Sequence, residues 1–227
     1  MNIIIPLAGV DIYNKLNETK NQTDGKTYLE YVLSKRSWMH DNKNEMVFII
    51  RHDEAKELQL INLIKYLFPR AKLIILNFET RGAIFSSLSG VASFFSHNAP
   101  LVIDLADIGF QDNFNIIEIF SSHLNIKSIV PFFNSKSEKF SYMNIEDGYV
   151  TKLREKENIS NFASAGVYIF RETSDFLDCT AYAINNPKIC SINGVYYICP
   201  SLNFFPTQND LIFPIRVDVE NYGKNEI

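Results

Sequence analysis

Residues 2–6, with the sequence NIIIP, decide how this chain folds. Consecutive β-branched residues without polar alternation are typical of a strand that is buried on both faces of a sheet. Four further apolar runs follow in the first half of the chain, at residues 46–51 (MVFIIR), 71–77 (AKLIILN), 101–104 (LVID) and 126–131 (IKSIVP). We expect all of them to be strands of one parallel sheet.

Helical patterns fill the intervals between these runs. Residues 52–68 show the clearest one, because apolar residues recur there at the helical period and Pro69 ends it. The other predicted helices cover residues 27–38, 82–95 and 112–123. This alternation predicts an α/β fold of three layers, α/β/α, with a mainly parallel, Rossmann-like central sheet. Such sheets bind ligands at the carboxyl ends of their strands.

The second half of the chain is more mixed. Residues 142–145 and 149–153 read as a hairpin, since the Asp147-Gly148 pair between them supplies the positive φ of a tight turn. Two more strands are expected at residues 165–170 and 211–217, and a helix at residues 174–185. We find no repeat and no linker, so we expect a single domain over residues 1–227.

Composition excludes several classes of function. The 46% of hydrophobic residues suffices for a core, while a net charge of −4 with scattered basic residues argues against nucleic-acid binding. The three cysteines form no Cys-x-x-Cys pair, and the four histidines lack metal-ligand spacing, so neither a disulfide framework nor a zinc site is expected. The chain has no run of 18 apolar residues and no basic start, which predicts a cytoplasmic protein without a membrane span. Nothing in the sequence indicates an oligomeric state.

The first strand ends in Leu7, Ala8 and Gly9. A glycine at the carboxyl end of a strand lets backbone amides approach a phosphate closely, although many α/β turns contain one for packing alone. Residues 1–9 (MNIIIPLAG) and 25–33 (GKTYLEYVL) resemble the opening of the sugar-phosphate nucleotidyltransferases that serve capsule and lipopolysaccharide synthesis. The resemblance implies that Leu7, Ala8 and Gly9 contact the nucleotide.

The stretch between those two matches departs from the family. There the family has a Gly-rich loop with an arginine and a Pro-Lys pair, which neutralise the triphosphate. Residues 10–24 are shorter and have none of these, and their basic residues are Lys15 and Lys20. Either these lysines substitute as catalytic cations, or the loop is solvated surface.

Two later strand ends also resemble the family. Thr80, Gly82 and Ala83 match its Thr-x-Gly-Ala stretch, whose backbone holds the nucleobase, and the alternative is tight packing of a strand–helix turn. Asp107 matches the aspartate that binds Mg²⁺, and the alternative is a helix cap. Asp104 is expected to lie nearer the strand body.

The closest match lies in the back half. Glu155 and Lys156 precede residues 163–170 (ASAGVYIF), as the family's Glu-Lys pair precedes its Ala-x-x-Gly-x-Tyr-x-Phe strand. The resemblance implies that Glu155 binds sugar hydroxyls, that Lys156 binds the sugar's phosphate, and that Gly166 lines the same site. Without the family, these charges read as a solvated hairpin end. Residues 194–203 (GVYYICPSLN) resemble another family segment.

Near the carboxyl terminus the resemblance weakens. Asn221 stands where the family has a second metal aspartate, so Asp218 or Glu220 would have to replace it.

We therefore expect an enzyme that binds a nucleoside triphosphate and a small phosphorylated acceptor. It would use Mg²⁺ to transfer a nucleotidyl group to a sugar phosphate or a similar phosphate ester, and release pyrophosphate, in surface polysaccharide biosynthesis. Two alternatives stay open. One is a catalytically degenerate relative that binds a nucleotide or a sugar nucleotide, and the other is a glycosyltransferase of similar fold.

Overall fold

The fold is built on one large sheet with helices on both faces. A computed structural model describes residues 1–9, 26–52 and 57–219. The strands are β1 (Asn2–Leu7), β2 (Glu45–Arg51), β3 (Lys72–Leu76), β4 (Leu101–Asp104), β5 (Ile126–Asn134), β6 (Ser141–Glu146), β7 (Tyr149–Glu155), β8 (Phe162–Ser164), β9 (Val167–Phe170), β10 (Ser191–Ile192), β11 (Val195–Tyr196) and β12 (Leu211–Arg216). The α-helices are α1 (Tyr28–Ser34), α2 (Glu57–Leu67), α3 (Ala83–Val91), α4 (Ile116–Ser122), α5 (Thr173–Asn185), α6 (Pro187–Cys190), α7 (Ile198–Ser201) and α8 (Phe204–Thr207), and a 3₁₀ helix covers Ser37–Met39.

The main sheet has the strand order β3-β2-β1-β4-β9-β5-β8-β6-β7, with β12 paired to β5. Its front part, β3 to β4, is parallel, and β1 lies between β2 and β4. The back part continues antiparallel through β9, while β12 runs parallel to β5. The expected α/β class with a Rossmann-like central sheet is confirmed.

Each face of the sheet has its own core, which makes three layers. On β1, Ile3 and Ile5 belong to one core and Ile4 to the other. Helices α1, α2 and α4 cover the first face, and α3 and α5 cover the second. Side chains that alternate between two buried faces explain why Ile3, Ile4 and Ile5 are apolar in succession.

Helices α1, α3 and α4 are shorter than the sequence patterns predict, and α3 ends at Val91 instead of residue 95. The first was expected over residues 27–38, but α1 ends at Ser34 because Arg36 is extended and fully buried, and a 3₁₀ helix follows. The helix expected over residues 112–123 begins only at Ile116, capped by the side chain of Asn115. Asp112 instead accepts hydrogen bonds from Ser37, which keeps it out of the helix.

The strand expected over residues 165–170 begins only at Val167, and an additional strand, β8, precedes it. Gly166 has a φ of +72° and separates β8 from β9. Strand β8 pairs with β5 and β6, whereas β9 continues between β4 and β5. The break turns the chain at the carboxyl end of β4, where Asp104 pairs with Val167.

No helix among the described residues is both long enough and apolar enough to cross a membrane.

Candidate functional site

A cleft of about 680 Å³ opens at the carboxyl ends of β1 and β4. Its size suits a small-molecule ligand. Most of the residues proposed from the sequence line this cleft: Leu7, Ala8, Gly9, Thr80, Gly82, Ala83, Asp107, Glu155, Lys156 and Gly166. Segments more than a hundred residues apart in the chain therefore meet at one place.

The remaining proposed residues either lie outside the described part of the chain or line another hollow. Lys15 and Lys20 lie outside the described residues, as do Glu220 and Asn221. Asp218 lines a separate, smaller hollow of about 100 Å³ together with Gln111, Asn113 and Phe114. The structure thus does not place Asp218 among the described residues that line the main cleft with Asp107.

One wall of the cleft is the turn that opens α3. Gly82 has a φ of +109°, and a Cβ at this position would lie 2.0 Å from the carbonyl oxygen of Tyr196. The amide of Tyr196 donates to the carbonyl of Arg81 at 2.8 Å, so β11 packs directly on this turn. Glycine is required here by close backbone packing, and that same packing shapes the wall. Beside this wall, the hydroxyl groups of Thr80 and Ser86 form a hydrogen bond with each other.

The loop after β4 presents Asp107 to the cleft. Asp107 is exposed, whereas Asp104, at the strand end, is fully buried, as the sequence suggested. The hydroxyl of Tyr28 donates to the backbone carbonyl of Asp107, and burial raises the pKa of this tyrosine, helped by the negative charge of Asp107. Gly166 lies against the loop: its carbonyl accepts from the amide of Leu105 at 2.9 Å. A Cβ at Gly166 would lie 3.8 Å from the Cβ of Asp107.

A second acidic residue that lines the cleft is Glu155, at the end of β7. Ser141 faces it across the hairpin and donates its hydroxyl to the Oε2 of Glu155. Burial raises the pKa of Glu155, while the hydrogen bond from Ser141 and the charge of Lys156 act in the opposite direction. The carboxylate can accept further hydrogen bonds from hydroxyl groups in the cleft.

Lys156 follows in a left-handed conformation, with a φ of +54°. Its amide donates to the carbonyl of Phe140 at 3.0 Å, next to the pair of Ser141 and Glu155. The ammonium lies 3.4 Å from the hydroxyl oxygen of Tyr197 and 5.4 Å from the centre of its ring. The side chain is exposed to the cleft, so this cation is available to a phosphate.

Four buried residues that line the cleft were not proposed as site residues from the sequence. They are Ser141, Ser164, Tyr168 and Cys199. The hydroxyl of Ser164 donates to that of Tyr168 at 3.2 Å. Burial raises the pKa values of Tyr168 and Cys199, so both groups are neutral near physiological pH. Lys139 also lines the cleft and was not proposed.

The signal for some of these residues was present in the sequence. Tyr168 belongs to the quoted strand pattern, and Cys199 to the quoted segment 194–203. The signal for Ser141 is the pairing register of the hairpin, which a bulge between Asn144 and Ile145 shifts by one residue. An unbulged count from the turn would have placed Phe140 opposite Glu155.

The carboxylate oxygens of the cleft suit a magnesium ion that is held mainly by water and by the phosphates of a bound substrate. Within the described part of the chain, no group of three or more His, Cys, Asp or Glu side chains is arranged to hold a metal. Mg²⁺, however, usually takes one or two carboxylates and completes its shell with water and substrate phosphates. The exposed carboxylate of Asp107 fits that requirement, whereas a cage made by protein alone does not.

Comparisons with known proteins bear on the fold. No protein-family model matches the chain, and no curated protein matches it. Solved structures do match. A nucleoside-diphosphate-sugar pyrophosphorylase from Vibrio cholerae RC9 has a TM-score of 0.77 at 18% identity, with 95% of this chain and 91% of that chain covered.

Two further structures agree. A UDP-glucose pyrophosphorylase in complex with UDP-glucose has a TM-score of 0.65 at 16% identity, with 96% of this chain and 91% of that chain covered. The inositol-1-phosphate CTP transferase of T. maritima has a TM-score of 0.63 at 10% identity, with 95% and 84% covered. At identities this low the likeness establishes the fold. The chain therefore has the fold of nucleotide-sugar pyrophosphorylases and related nucleotidyltransferases.

Proposed function

We propose that this protein transfers a nucleotidyl group from a nucleoside triphosphate to a sugar phosphate or a similar small phosphate ester, in surface polysaccharide biosynthesis. The observation that carries the proposal is that Asp107 and the pair Glu155-Lys156 line one cleft. The fold shared with the pyrophosphorylases supports it. We expect the enzyme to work in the cytoplasm.

The cleft offers two neighbouring subsites. The nucleotide would lie between the end of β1, at Leu7 to Gly9, and the turn from Thr80 to Ala83, where backbone groups line the wall. The acceptor would lie at the other end, with its hydroxyl groups on Glu155 and its phosphate on Lys156. A carboxylate accepts hydroxyl protons, and an ammonium is a point charge for phosphate.

Positioning and charge would do the catalytic work. A phosphate oxygen of the acceptor attacks the α-phosphorus in line, the bond from that phosphorus to the bridging oxygen breaks, and pyrophosphate leaves with the electron pair. Mg²⁺ on Asp107 would supply positive charge beside the phosphate oxygens. Lys156 would hold the attacking phosphate, and Lys15 and Lys20 are the proposed cations for the triphosphate.

The main alternative is a non-catalytic relative that binds a nucleotide or a sugar nucleotide. The observation that favours it is the composition of residues 10–24, which lack the arginine and the Pro-Lys pair of the family. A glycosyltransferase of similar fold is a further alternative.

Pyrophosphate release separates these proposals. We would incubate the protein with each of ATP, CTP, GTP and UTP, Mg²⁺ and a panel of sugar and polyol phosphates, and measure released pyrophosphate. Release that depends on both substrates supports the transferase. Nucleotide binding in calorimetry without turnover supports the non-catalytic relative. In a parallel incubation with an activated sugar, its consumption without pyrophosphate release supports the glycosyltransferase.

A further inference from the structure

We propose that Arg36 is a positioning residue that holds the Asp107 loop in its ligand-binding conformation. The proposal rests on the role of Asp107 given above, and it adds a residue that does not line the cleft. Arg36 is fully buried between the end of α1 and the loop after β4. We define the Asp107 loop as residues 105–110.

The side chain of Arg36 binds this loop at several points. Its Nε donates to the Oδ2 of Asp104 at 2.9 Å, and its Nη2 donates to the carbonyl of Ile108 at 2.7 Å. Its Nη1 donates to the carbonyl of Phe110, whose ring centre lies 3.6 Å from the guanidinium carbon. One planar group thus ties the strand end before the loop to two carbonyls within it.

Asp104 extends the same network to the residue before Asp107. Its second oxygen, Oδ1, accepts from the amide of Ala106 at 2.9 Å. Ala106 has a φ of +53°, in the left-handed region that is sterically unfavourable for a residue with a Cβ. Such a conformation persists only where the surrounding structure enforces it. Arg36 and Asp104 provide that enforcement next to Asp107.

Stability alone does not explain this buried ion pair. Removing two charges from water costs several kcal/mol, and well-packed apolar residues at such sites are often equally stable. The pair does, however, select one loop conformation through directed hydrogen bonds. Arg36, directly before the 3₁₀ helix, therefore helps to fix the backbone position of Asp107.

Two further contacts tie the α1 segment to the same region. Tyr28, at the start of α1, donates to the carbonyl of Asp107. Ser37, next to Arg36, donates its amide to both carboxylate oxygens of Asp112 at 2.9 Å. The α1 segment is thus linked to the loop that carries Asp107 and to Asp112 just beyond it.

Arg171 provides a matched control. It also makes three side-chain hydrogen bonds, in its case to the carbonyls of Phe120, His123 and Ile126, and its guanidinium carbon lies 4.9 Å from the ring centre of Phe120. It follows Phe170, which pairs with Leu101 at the amino end of β4, so it lies at the edge of the sheet opposite the cleft. Replacing Arg171 removes the same kind of interaction away from Asp107.

The test compares Arg36→Met, Asp104→Asn and Arg171→Met by amide hydrogen exchange and by calorimetry with MgATP, MgCTP, MgGTP and MgUTP. In Arg36→Met we expect exchange of residues 105–110 to accelerate at least about tenfold, because the charged hydrogen bonds that hold this loop are lost. Asp104→Asn keeps the side-chain volume and tests the same link if Arg36→Met does not fold. Arg171→Met should accelerate exchange near residues 120–126 and leave residues 105–110 unchanged.

Affinity gives the second readout. For the nucleotide that the wild type binds, we expect the affinity of its Mg²⁺ complex to fall about tenfold or more in the Arg36 or Asp104 variant and to stay within about twofold in Arg171→Met. Unchanged exchange of residues 105–110 in the folded Arg36 or Asp104 variant overturns the inference, and so does an equal loss of affinity in Arg171→Met. A wild type that binds no nucleotide counts against the proposed function, and the exchange data then decide the inference by themselves.

Discussion

Ser141 and Glu155 face each other across the β6–β7 hairpin, and the hydroxyl of Ser141 donates to the carboxylate of Glu155. Both residues line the cleft, although Ser141 is itself buried. Burial raises the pKa of Glu155 despite this hydrogen bond and the nearby charge of Lys156. The protein therefore holds a carboxylate where its charged form is disfavoured, as is common at functional sites.

The first prediction follows from that pKa. Because the folded pKa lies above the ordinary value of 4.5, the folded state binds a proton more tightly than the unfolded state. Stability then falls as pH rises from the unfolded pKa through the folded one. We expect Glu155→Gln to unfold at the same temperature as the wild type at about pH 3.5, and at a higher temperature at about pH 7.5.

The same variant should lose function while it gains stability. An amide accepts hydroxyl protons less strongly than a carboxylate, so we expect the acceptor KM to rise about tenfold or more. Glu157→Gln is the control, since Glu157 is exposed just beyond the same strand. A stability difference independent of pH would contradict the assigned cause.

The second prediction concerns Asp107→Asn. The side chain is exposed, so we expect the unfolding temperature to change little. Nucleotide binding should lose its dependence on Mg²⁺, because an amide oxygen is a weaker ligand for a hard cation than a carboxylate. Calorimetry with and without Mg²⁺ measures this dependence.

Asp218→Asn is the comparison for that experiment. Asp218 is also exposed, but it lines the separate hollow beside Phe114. We expect a much smaller effect than that of Asp107→Asn. An equal loss of Mg²⁺ dependence would place both carboxylates at the metal, as the resemblance to the nucleotidyltransferases implied.

The third prediction concerns Lys156→Ala. Both residue types carry a Cβ, so the left-handed backbone at this position is equally strained in the variant. We expect the acceptor KM to rise about 10- to 100-fold, the scale of a lost charged hydrogen bond, and the nucleotide KM to stay within about twofold. Lys152→Ala, on the exposed side of β7, should change neither. Equal weakening of both substrates would show that Lys156 does not belong to the acceptor subsite.

The sequence predicted the parallel front of the sheet because β1, β2 and β4 are buried on both faces and read as largely apolar runs. The resemblance to the nucleotidyltransferases singled out Asp107, Glu155 and Lys156, which lie at or just beyond the ends of β4 and β7. The role of Arg36 could not be predicted from the sequence. A charged residue near a helix end is usually solvated, and only the tertiary structure shows the carboxylate and carbonyls that make its burial tolerable. Ser141 was hidden by the bulge in its hairpin.

The last prediction concerns the cations of the triphosphate. Three clustered phosphates need positive charge nearby both to bind and to react. Among the described residues, the lysines that line the cleft are Lys139 and Lys156. Lys139 directly precedes Phe140 in the chain, and the amide of Lys156 donates to the carbonyl of Phe140. Both lysines therefore lie on the acceptor side of the cleft. The cations of the nucleotide side must then come from elsewhere in the chain.

Lys15 and Lys20 are the candidates, because residues 10–25 connect the end of β1, which lines the nucleotide side, to α1. The neighbouring Lys26 belongs to the approach to α1 rather than to the loop. We expect the double change Lys15→Ala, Lys20→Ala to lower kcat by more than about a hundredfold, the scale of losing one preorganised charge donor. The control Lys43→Ala, Lys188→Ala removes the same net charge from exposed positions and should leave kcat within about twofold. Normal turnover in the Lys15 and Lys20 variant would show that the triphosphate is held elsewhere. If the wild type turns over no combination of nucleotide and acceptor, the non-catalytic relative becomes the better description, and the loss of the family's arginine and Pro-Lys pair from residues 10–24 is its cause.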